Sequence, residues 1–290
     1  MSDTAPPDTL PPAAPRTPHI YIAGLGLQTV TQITREVQDA CRRSAEILYV
    51  DTGIATRTFL ETLCPRVTPL FDESYARDAS RVSAYHHMAA RVVEAALDHP
   101  PVTFALHGHP LVAALPPFLV LELAAALDLR VTILPGVSAL DALLADLRLD
   151  PVVHGIQMYE ATDVLLRRRP LQSDVPAILW QIGPIETCLH SQAVSLPGRF
   201  ARLIAHLRQF YPARHEVVAI HCSPHPIVPA TILRFALEDM GGHAAEIHGG
   251  FTLYVPPAGA RAVLDWELVG KLYSVEHLRS VTRNRGHLIS

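Results

Sequence analysis

Residues 102–112, VTFALHGHPLV, decide the fold, because an apolar strand runs directly into a Gly-His-Pro turn. A second apolar strand, within RVTILPGVSA at residues 130–139, also ends in a turn of small residues. At the carboxyl ends of such strands the backbone N–H and C=O groups are unpaired, and small residues such as Gly108, Gly136 and Ser138 let a ligand approach them. The two turns therefore predict a ligand crevice, although ordinary connections between strands and helices carry the same residue types.

Composition narrows the class of protein. The chain has 290 residues, of which 49% are apolar and 18% charged, so it can form two ordered α/β lobes. Its 24 basic and 28 acidic residues give a net charge of −4, and the longest basic run is the three arginines 167–169. Nucleic acid binding needs clustered Lys and Arg, so we expect no nucleic acid partner.

The cysteines and the apolar segments predict a cytoplasmic protein without membrane contact. No CxxC spacing occurs among the four cysteines, which favours free thiols in a reducing compartment. Residues 1–17 form a proline-rich leader that we expect to be flexible and that lacks the apolar stretch of a signal peptide. The most apolar window, 111–129, is interrupted by Pro116, Pro117 and Glu122, so it is too short to span a bilayer.

Strands and helices alternate along the first half. This order predicts an N-terminal lobe, residues 18–135, built on a parallel sheet, with a helix at 31–44 that buries Ile33, Val37 and Ala40. Residues 136–258 have fewer helices per strand, which favours a C-terminal lobe with a mixed sheet. In that lobe we predict helices around 198–210 and 229–240, and residues 259–290 read as a helical tail.

The first glycine turn fits a nicotinamide cofactor poorly. Residues 24–26, Gly-Leu-Gly, follow a strand, and Asp51 stands where a ribose-binding acid would be placed. The third glycine of the dinucleotide pattern is missing. The turn alone is equally explained by close packing of a strand and a helix.

Seven blocks, taken in order, resemble one family. They are GLGLQ (24–28), ALHGHP (105–110), LPGVSA (134–139), LDPxxxGxQxYEA (149–161), WQIG (180–183), HEVV (215–218) and GGFTLYVPP (249–257). In this order and at these separations they resemble the tetrapyrrole methylase fold family, and within it the borosin peptide backbone N-methyltransferases. The resemblance covers residues 18–272 and implies a two-lobed α/β fold that binds S-adenosylmethionine between its lobes.

The resemblance also implies which residues hold the cofactor. It puts the methionine part against Gly108, His109, Pro110 and Val112, followed by Ser138 and Ala139 after the next strand. Gln181 and Thr252 would lie near the adenine, and His221 would end a strand near the cofactor. Such a ligand needs backbone groups and small polar side chains and no phosphate-binding loop, which agrees with the missing dinucleotide pattern.

The segment 71–88, FDESYARDASRVSAYHHM, carries candidate catalytic residues. Arg81 and Tyr85 are four residues apart at the start of a predicted helix capped by Ser80 or Ser83, so they share one face. Tyr75 lies in the preceding loop. A guanidinium near a phenol favours the phenolate and lowers the tyrosine pKa, so such a tyrosine can act as a general base.

Methylation of a backbone amide needs such a base, because the nitrogen lone pair is delocalised into the carbonyl. We predict Tyr85 as the base, with Arg81 and Tyr75 stabilising the negative charge that develops on the carbonyl oxygen. The resemblance implies the same group of residues. His107 stands where that family usually has Tyr; it is shorter, and it can donate a hydrogen bond to the substrate carbonyl or take a proton near neutral pH.

Paired histidines suggest no metal site. The pairs at 86–87 and 107–109 lack the spacing of helical ligands, and the prolines in HCSPH (221–225) break a helix. The triple arginine 167–169 favours a solvated loop, with binding of an acidic peptide stretch as the alternative.

The resemblance implies the partners of the chain. We expect a ribosomally made precursor peptide supplied as a separate chain, because the sequence stops at Ser290 after a polar tail, and a homodimer that binds two peptides. Two alternatives stay open. One is a methyltransferase for a porphyrinoid or another small substrate, and the other is a catalytically idle peptide-binding subunit.

Overall fold

Two sheets, one in each lobe, organise the chain, and each has five strands within the described residues. The computed structural model describes residues 18–51, 53–75, 80–191 and 193–283. The predicted leader at 1–17 and the end of the predicted tail at 284–290 lie outside the described residues. The sequence-based prediction of a two-lobed α/β fold with a parallel and a mixed sheet is confirmed.

The first sheet is parallel throughout and has the order β3-β2-β4-β1-β5. Its strands are β1 (Ile20–Gly24), β2 (Glu46–Val50), β3 (Val67–Pro69), β4 (Val102–Leu106) and β5 (Val131–Leu134). β4 lies in the middle and is buried along its whole length, because helices cover both faces of the sheet. The turn that follows β4 therefore starts from a rigid position.

Seven helices connect these strands or follow them within the described residues. They are α1 (Thr29–Gln32), α2 (Arg35–Arg43), α3 (Ile54–Glu61), α4 (Phe71–Tyr75), α5 (Arg81–Asp98), α6 (Pro116–Ala126) and α7 (Ala139–Leu147). The single helix predicted at 31–44 is divided, because Thr34 caps α2 by accepting a hydrogen bond from the Val37 amide. The predicted apolar face is nevertheless correct, since Ile33, Val37 and Ala40 are all buried.

The second sheet is mixed, with the order β6-β7-β10-β8-β9. β6 (Gln157–Glu160) runs parallel to β7 (Ala177–Trp180), and the other neighbours are antiparallel. The remaining strands are β8 (Glu216–His221), β9 (Thr231–Ala236) and β10 (Thr252–Val255). Two α-helices, α8 (Ala161–Arg167) and α9 (Ala201–Leu207), and the 3-10 helices Pro197–Phe200 and Leu237–His243 belong to this lobe. Leu143 of α7 also packs on this sheet.

The helix predicted around residues 229–240 is wrong. Strand β9 occupies half of this stretch, pairs antiparallel with β8, and is followed by the second 3-10 helix. Leucine, arginine and alanine favour a helix by intrinsic propensity. Leu233 and Phe235, however, lie two residues apart and both pack against the core of the lobe, which is the period of a strand.

The C-terminal stretch forms two short helices, α10 (Trp266–Lys271) and α11 (Val275–Val281). Neither helix has a buried residue. Large apolar side chains are exposed on both helices and between them, among them Trp266, Leu272 and Tyr273. None of the helices in the described part of the chain is both long and apolar enough to span a membrane.

Candidate active site

An open cleft of about 520 Å³ lies between the two lobes. The start of α5 borders it on one side, and the ends of β6 and β7 border it on the other. Its lining includes Arg81, Tyr85, Met158, Trp180, Gln181 and Thr187. We call this space the interlobe cleft. It brings together candidate residues from both halves of the sequence.

A smaller space of about 200 Å³ adjoins the interlobe cleft on the side of the first lobe. Tyr75, Tyr85 and His107 line it, together with apolar residues of β2, β4 and α5. We call it the tyrosine cavity. Tyr85 and Ala113 line both spaces, so the Tyr85 ring lies at their common border.

The start of α5 fixes the positions of two predicted catalytic residues. Ser80, one of the two predicted caps, caps the helix by accepting a hydrogen bond from the Ser83 amide. Arg81 is then the first helical residue, and Tyr85 follows one turn later on the same face. Tyr75 is the last residue of α4, which corrects the prediction that it lies in a loop, and it hydrogen-bonds Tyr85 through its side chain. The structure therefore brings Tyr75, Arg81 and Tyr85 together.

The Arg81 guanidinium is anchored on the second lobe. Its Nη1 donates to Oε1 of Gln181 at 3.3 Å, and its Nη2 donates to the carbonyl oxygen of Thr187 at 2.5 Å. The backbone amide of Arg81 also donates to the carbonyl of Cys188 at 2.8 Å. Its Nε is buried and has no hydrogen-bond partner among the described residues. Two of the five N–H groups of the guanidinium thus hold it on the second lobe, and the buried Nε–H makes no hydrogen bond.

Gln181 links the two sides of the interlobe cleft. While Oε1 accepts from Arg81, Nε2 donates to the carbonyl oxygen of Ala113 at 3.2 Å. Its backbone lies in the left-handed region with φ +58°, which costs free energy for a residue with a side chain. The sequence assigned Gln181 to the cofactor, and the structure places its side chain amide against Arg81.

The pKa of Tyr75 differs from the sequence-based prediction. Burial raises the pKa of Tyr75 well above the ordinary value of 10.0, and the contact with Tyr85 raises it further. Arg81 lowers the pKa of Tyr75, as predicted, but by less than these two influences. The prediction that the arginine leaves a neighbouring tyrosine with a lowered pKa is therefore wrong for Tyr75. The Tyr75 hydroxyl stays protonated and remains a hydrogen-bond donor.

His107 follows β4 and faces a carboxylate. Its Nδ1 lies 3.6 Å from Oδ2 of Asp51 at the end of β2. Burial opposes ionisation of Asp51, but the nearby His107 ring and hydrogen bonds from the Gly53 amide and the Thr56 hydroxyl together lower its pKa below the ordinary value. Asp51, which the sequence suggested as a ribose-binding acid, thus orients His107 at the wall of the tyrosine cavity.

Glycines at the ends of three strands lie backbone to backbone. A Cβ atom at Gly24 or at Gly136 would lie 2.6 Å from the carbonyl oxygen of Gly108. Gly26 and Gly108 exchange backbone hydrogen bonds of 2.9 and 3.2 Å. Gly136 therefore permits the close approach of the turns to each other, which corrects the prediction that it makes room for a ligand.

The turn after β4 is open on one flank. Gly108 has φ +72°, and a Cβ there would first meet the Val137 carbonyl at 3.9 Å, an ordinary contact. His109 Nδ1 accepts a hydrogen bond from the Leu111 amide, and the Val112 amide donates to the His109 carbonyl. Pro110 is buried against β1. The turn therefore has room for a Cβ beside Gly108, although Gly108 itself is buried, and its contact with the cofactor stays a prediction.

Ser138 and Ala139 form the start of α7. The Ser138 hydroxyl and amide both hydrogen-bond the Asp141 carboxylate, at 2.6 and 2.7 Å, in a capping box. These hydrogen bonds, with a smaller contribution from nearby His109, lower the pKa of Asp141. The side chain and the backbone amide of Ser138 are thus both used by its own helix, and a contact of Ser138 with the cofactor stays a prediction.

The second lobe contributes His221 and Thr252. Thr252 is buried at the start of β10 and pairs with Ile220, directly before His221. The His221 ring lies 4.7 Å from that of His248 and 5.6 Å from that of Phe251. Burial, His248 and His107 lower the pKa of His221 below 6.5, so its imidazole is neutral at pH 7.

Contacts between the lobes place predicted cofactor residues of both lobes near one another. His221 interacts electrostatically with His107, directly before the β4 turn, and its neighbour Cys222 has its Sγ 4.0 Å from the carbonyl oxygen of Ala139. An open backbone turn, a helix start and neutral side chains fit a ligand made of an uncharged adenosine and a zwitterionic amino acid. The individual cofactor contacts remain predictions.

Some residues of the site were missed by the sequence analysis. The His190 ring lies 4.5 Å from the Tyr75 ring, and Thr187 accepts a hydrogen bond from Arg81, 106 positions earlier in the chain. His248 packs on His221. No local motif signals these contacts, because each joins segments that are distant in sequence. Within the described ranges, no cluster of three or more His, Cys, Asp or Glu residues is arranged to hold a metal ion.

Relatives of known name match most of the chain. A methyltransferase and ribosomally synthesised type I borosin cyclic peptide precursor of Serendipita vermifera subsp. bescii is 28% identical over 265 residues, covering 89% of this chain and 63% of the relative. A methyltransferase and omphalotin A precursor of Omphalotus olearius is 28% identical over 245 residues, covering 84% and 58%. The chain thus spans about three fifths of the length of these curated relatives.

Solved structures share the fold. The methyltransferase CobJ superimposes with a TM-score of 0.60 at 19% identity, covering 85% of this chain and 97% of that protein. The sequence profile of the Tetrapyrrole (Corrin/Porphyrin) Methylases matches residues 19–222, well over half of the chain. Because the sheets, the turn after β4 and this match agree, the chain belongs to the tetrapyrrole (corrin/porphyrin) methylases, and its cofactor is S-adenosylmethionine.

Proposed function

We propose that this chain methylates backbone amide nitrogens of a ribosomally made precursor peptide. The observation that carries the proposal is the contact of two tyrosines beside an anchored arginine at the border of the interlobe cleft. The names of the matched relatives, which combine a methyltransferase with a peptide precursor, support it.

An amide nitrogen is a poor nucleophile until its proton leaves. S-adenosylmethionine supplies an electrophilic methyl group when it is bound. The residues of the chain must then remove the N–H proton and stabilise the negative charge on the carbonyl oxygen. A general base at the cleft can remove the proton, and a nearby cation can stabilise the negative charge.

Tyr85 is the base in this proposal, and its position at the cleft border gives a bound peptide access to its oxygen. Tyr75 keeps its proton, because its pKa is raised, and donates a hydrogen bond to the Tyr85 oxygen. Such a bond stabilises the phenolate that accepts the amide proton. Arg81, held by Gln181 and Thr187, stabilises the carbonyl oxygen of the substrate.

The lining of the interlobe cleft favours a peptide over a porphyrinoid. Val82, Leu115, Met158 and Trp180 present apolar surface to it. Among the described lining residues Arg81 is the cation, and its guanidinium already binds the second lobe, while Glu160 and Asp163 are acids. A tetrapyrrole with several carboxylates needs more cations than this. A peptide with apolar side chains and neutral amides does not.

A second copy of the chain and a separate peptide complete the proposal. The large apolar side chains on α10 and α11, such as Trp266 at 69% and Tyr273 at 96% exposure, need a covering surface, and the equivalent region of a second protomer supplies one. The precursor is proposed to arrive as a separate chain, one per protomer. Light scattering of the purified protein measures its oligomeric state, and a monomer would contradict the proposed dimer.

Intact mass spectrometry tests the reaction and the source of the peptide together. The chain is expressed alone and with a candidate short precursor peptide encoded beside it. Mass increments of one CH₂ unit on the peptide are the expected result. Increments on the chain itself would contradict the separate precursor. No increment on either, with S-adenosylhomocysteine still bound in calorimetry, would favour an idle peptide-binding subunit.

A further inference from the structure

A second groove runs along the surface of the C-terminal lobe between α8 and α9, with a volume of about 620 Å³. Leu165 and Leu166 of α8 and Ala205 of α9 form its apolar lining. Thr162 and Leu166 line both this groove and the interlobe cleft. The two spaces therefore share a border, and an extended chain can pass from one into the other. We call this space the α8–α9 groove.

The arginines at the end of α8 divide into two kinds. Arg167 and Arg169 both bind the Asp163 carboxylate, at 2.6 and 2.5 Å, so their charges are used within the chain. Arg168 lies between them, is exposed, and lines the α8–α9 groove. In the described part of the chain no carboxylate pairs with its guanidinium.

The opposite wall of the groove adds a second cation. Arg202 of α9 has an 80% exposed side chain and lies 3.6 Å from Oε2 of Glu186, a loose contact. Two arginines thus face the groove against one carboxylate. Its lining combines these cations with apolar side chains, and Leu166, at 79% exposure, is uncovered where the groove borders the cleft. A ligand that complements this surface carries acidic and apolar side chains.

We propose that the α8–α9 groove binds an acidic and apolar segment of the precursor peptide that lies outside the methylated part. Docking of this segment holds the peptide while the adjoining residues extend over Leu166 into the interlobe cleft. The proposal rests on the proposed function, since it takes the substrate to be a peptide. It gives the unpaired Arg168 a role in recognition that the paired Arg167 and Arg169 cannot have.

Fluorescence anisotropy measures this binding without any methylation. The probe is a labelled short peptide of alternating glutamate and leucine, compared with one of alternating lysine and leucine. The double variant Arg168→Glu/Arg202→Glu is expected to bind the acidic probe about tenfold more weakly than the wild type, since two ion pairs are replaced by like charges. It is expected to bind the basic probe more tightly. Arg208→Glu, at the exposed C-cap of α9 and outside the groove lining, is the matched control.

Three results would overturn the groove proposal. They are no binding of the acidic probe by the wild type, equal binding by the double variant, and an equal loss in Arg208→Glu. A change of oligomeric state in the double variant, with peptide binding intact, would instead make this face a contact between two copies. Both variants change exposed side chains, so circular dichroism is expected to show wild-type folding.

Co-expression with the candidate precursor separates this proposal from the proposed function. If the wild type and the double variant methylate the precursor equally, the groove proposal fails and the proposed function stands. If the acidic probe binds in the Arg168- and Arg202-dependent manner but no peptide is methylated, the groove is a peptide site and the proposed function fails.

Discussion

Arg81 and Gln181 are joined across the interlobe cleft by a hydrogen bond of 3.3 Å, although they are 100 positions apart in the chain. Gln181 also holds the carbonyl of Ala113, in the turn region after β4. A single side chain with a strained backbone thus ties together α5, the β4 turn region and the end of β7. The orientation of the arginine in the first lobe depends on the second lobe.

Replacement of Gln181 by leucine removes both hydrogen bonds. We expect kcat for methyl transfer to fall about tenfold to hundredfold, because a hydrogen bond to a charged group contributes roughly 1.5–3 kcal/mol. Gln181→Glu keeps an acceptor for Arg81 and is expected to retain more activity. Calorimetry with S-adenosylhomocysteine provides the control. Weaker cofactor binding with kcat unchanged would contradict a role through Arg81 and support the cofactor role that the sequence suggested.

The two tyrosines are expected to differ in importance. Tyr85→Phe removes the proposed base, so the rate should fall by about 10²- to 10⁴-fold. Tyr75→Phe removes only a hydrogen bond to that base and should cost about tenfold. Tyr254→Phe, on β10 and outside the interlobe cleft and the tyrosine cavity, is the matched control. Single-turnover rates measure the three variants, and a larger loss in Tyr75→Phe than in Tyr85→Phe would exchange the two roles.

The contact between the glycine turns predicts a stability effect. In Gly136→Ala the new Cβ would lie 2.6 Å from the Gly108 carbonyl, so the turns must separate. We expect a loss of about 1–3 kcal/mol in the free energy of unfolding, measured with urea, and weaker binding of S-adenosylhomocysteine. Gly198→Ala is the matched control, because a Cβ there meets nothing within 4 Å. Equal stability of the two variants would show that the turns tolerate separation.

The neutral His221 predicts a pH dependence of stability. Its pKa in the folded chain lies below the ordinary 6.5, because of burial first and then of His248 and His107. Between these two pKa values the unfolded chain binds a proton that the folded chain does not, so stability falls as the pH drops below 6.5. Thermal unfolding between about pH 5 and 7 measures this slope, which should be shallower in His221→Gln. A slope that is the same in His221→Gln as in the wild type would contradict the lowered pKa of His221.

Much of the fold was readable from local patterns. The strand of 102–106 and its Gly-His-Pro turn, the cap at Ser80 and the buried face of α2 were all predicted, because each depends on residues within a few positions of one another. The stretch 229–240 was not, since its composition suits a helix and pairing with β8 decides its structure.

The candidate site was only partly readable. The spacing of Arg81 and Tyr85 placed them on one face of a helix, as the structure has them. Arg81 is held by residues in the range 181–188, and His107 faces Asp51. No local sequence pattern signals either contact, because the partners are distant in the chain. The direction of the shift in the Tyr75 pKa depends on burial, which the sequence around Tyr75 does not reveal.

Tandem mass spectrometry of the co-expressed precursor peptide tests the central claim most directly. Fragment masses assign each added CH₂ unit to a backbone nitrogen or to a side chain. We predict methyl groups on consecutive or neighbouring backbone nitrogens with the wild type and their loss with Tyr85→Phe. Methyl groups confined to side chains, or the same backbone pattern with Tyr85→Phe, would contradict backbone N-methylation with Tyr85 as the base.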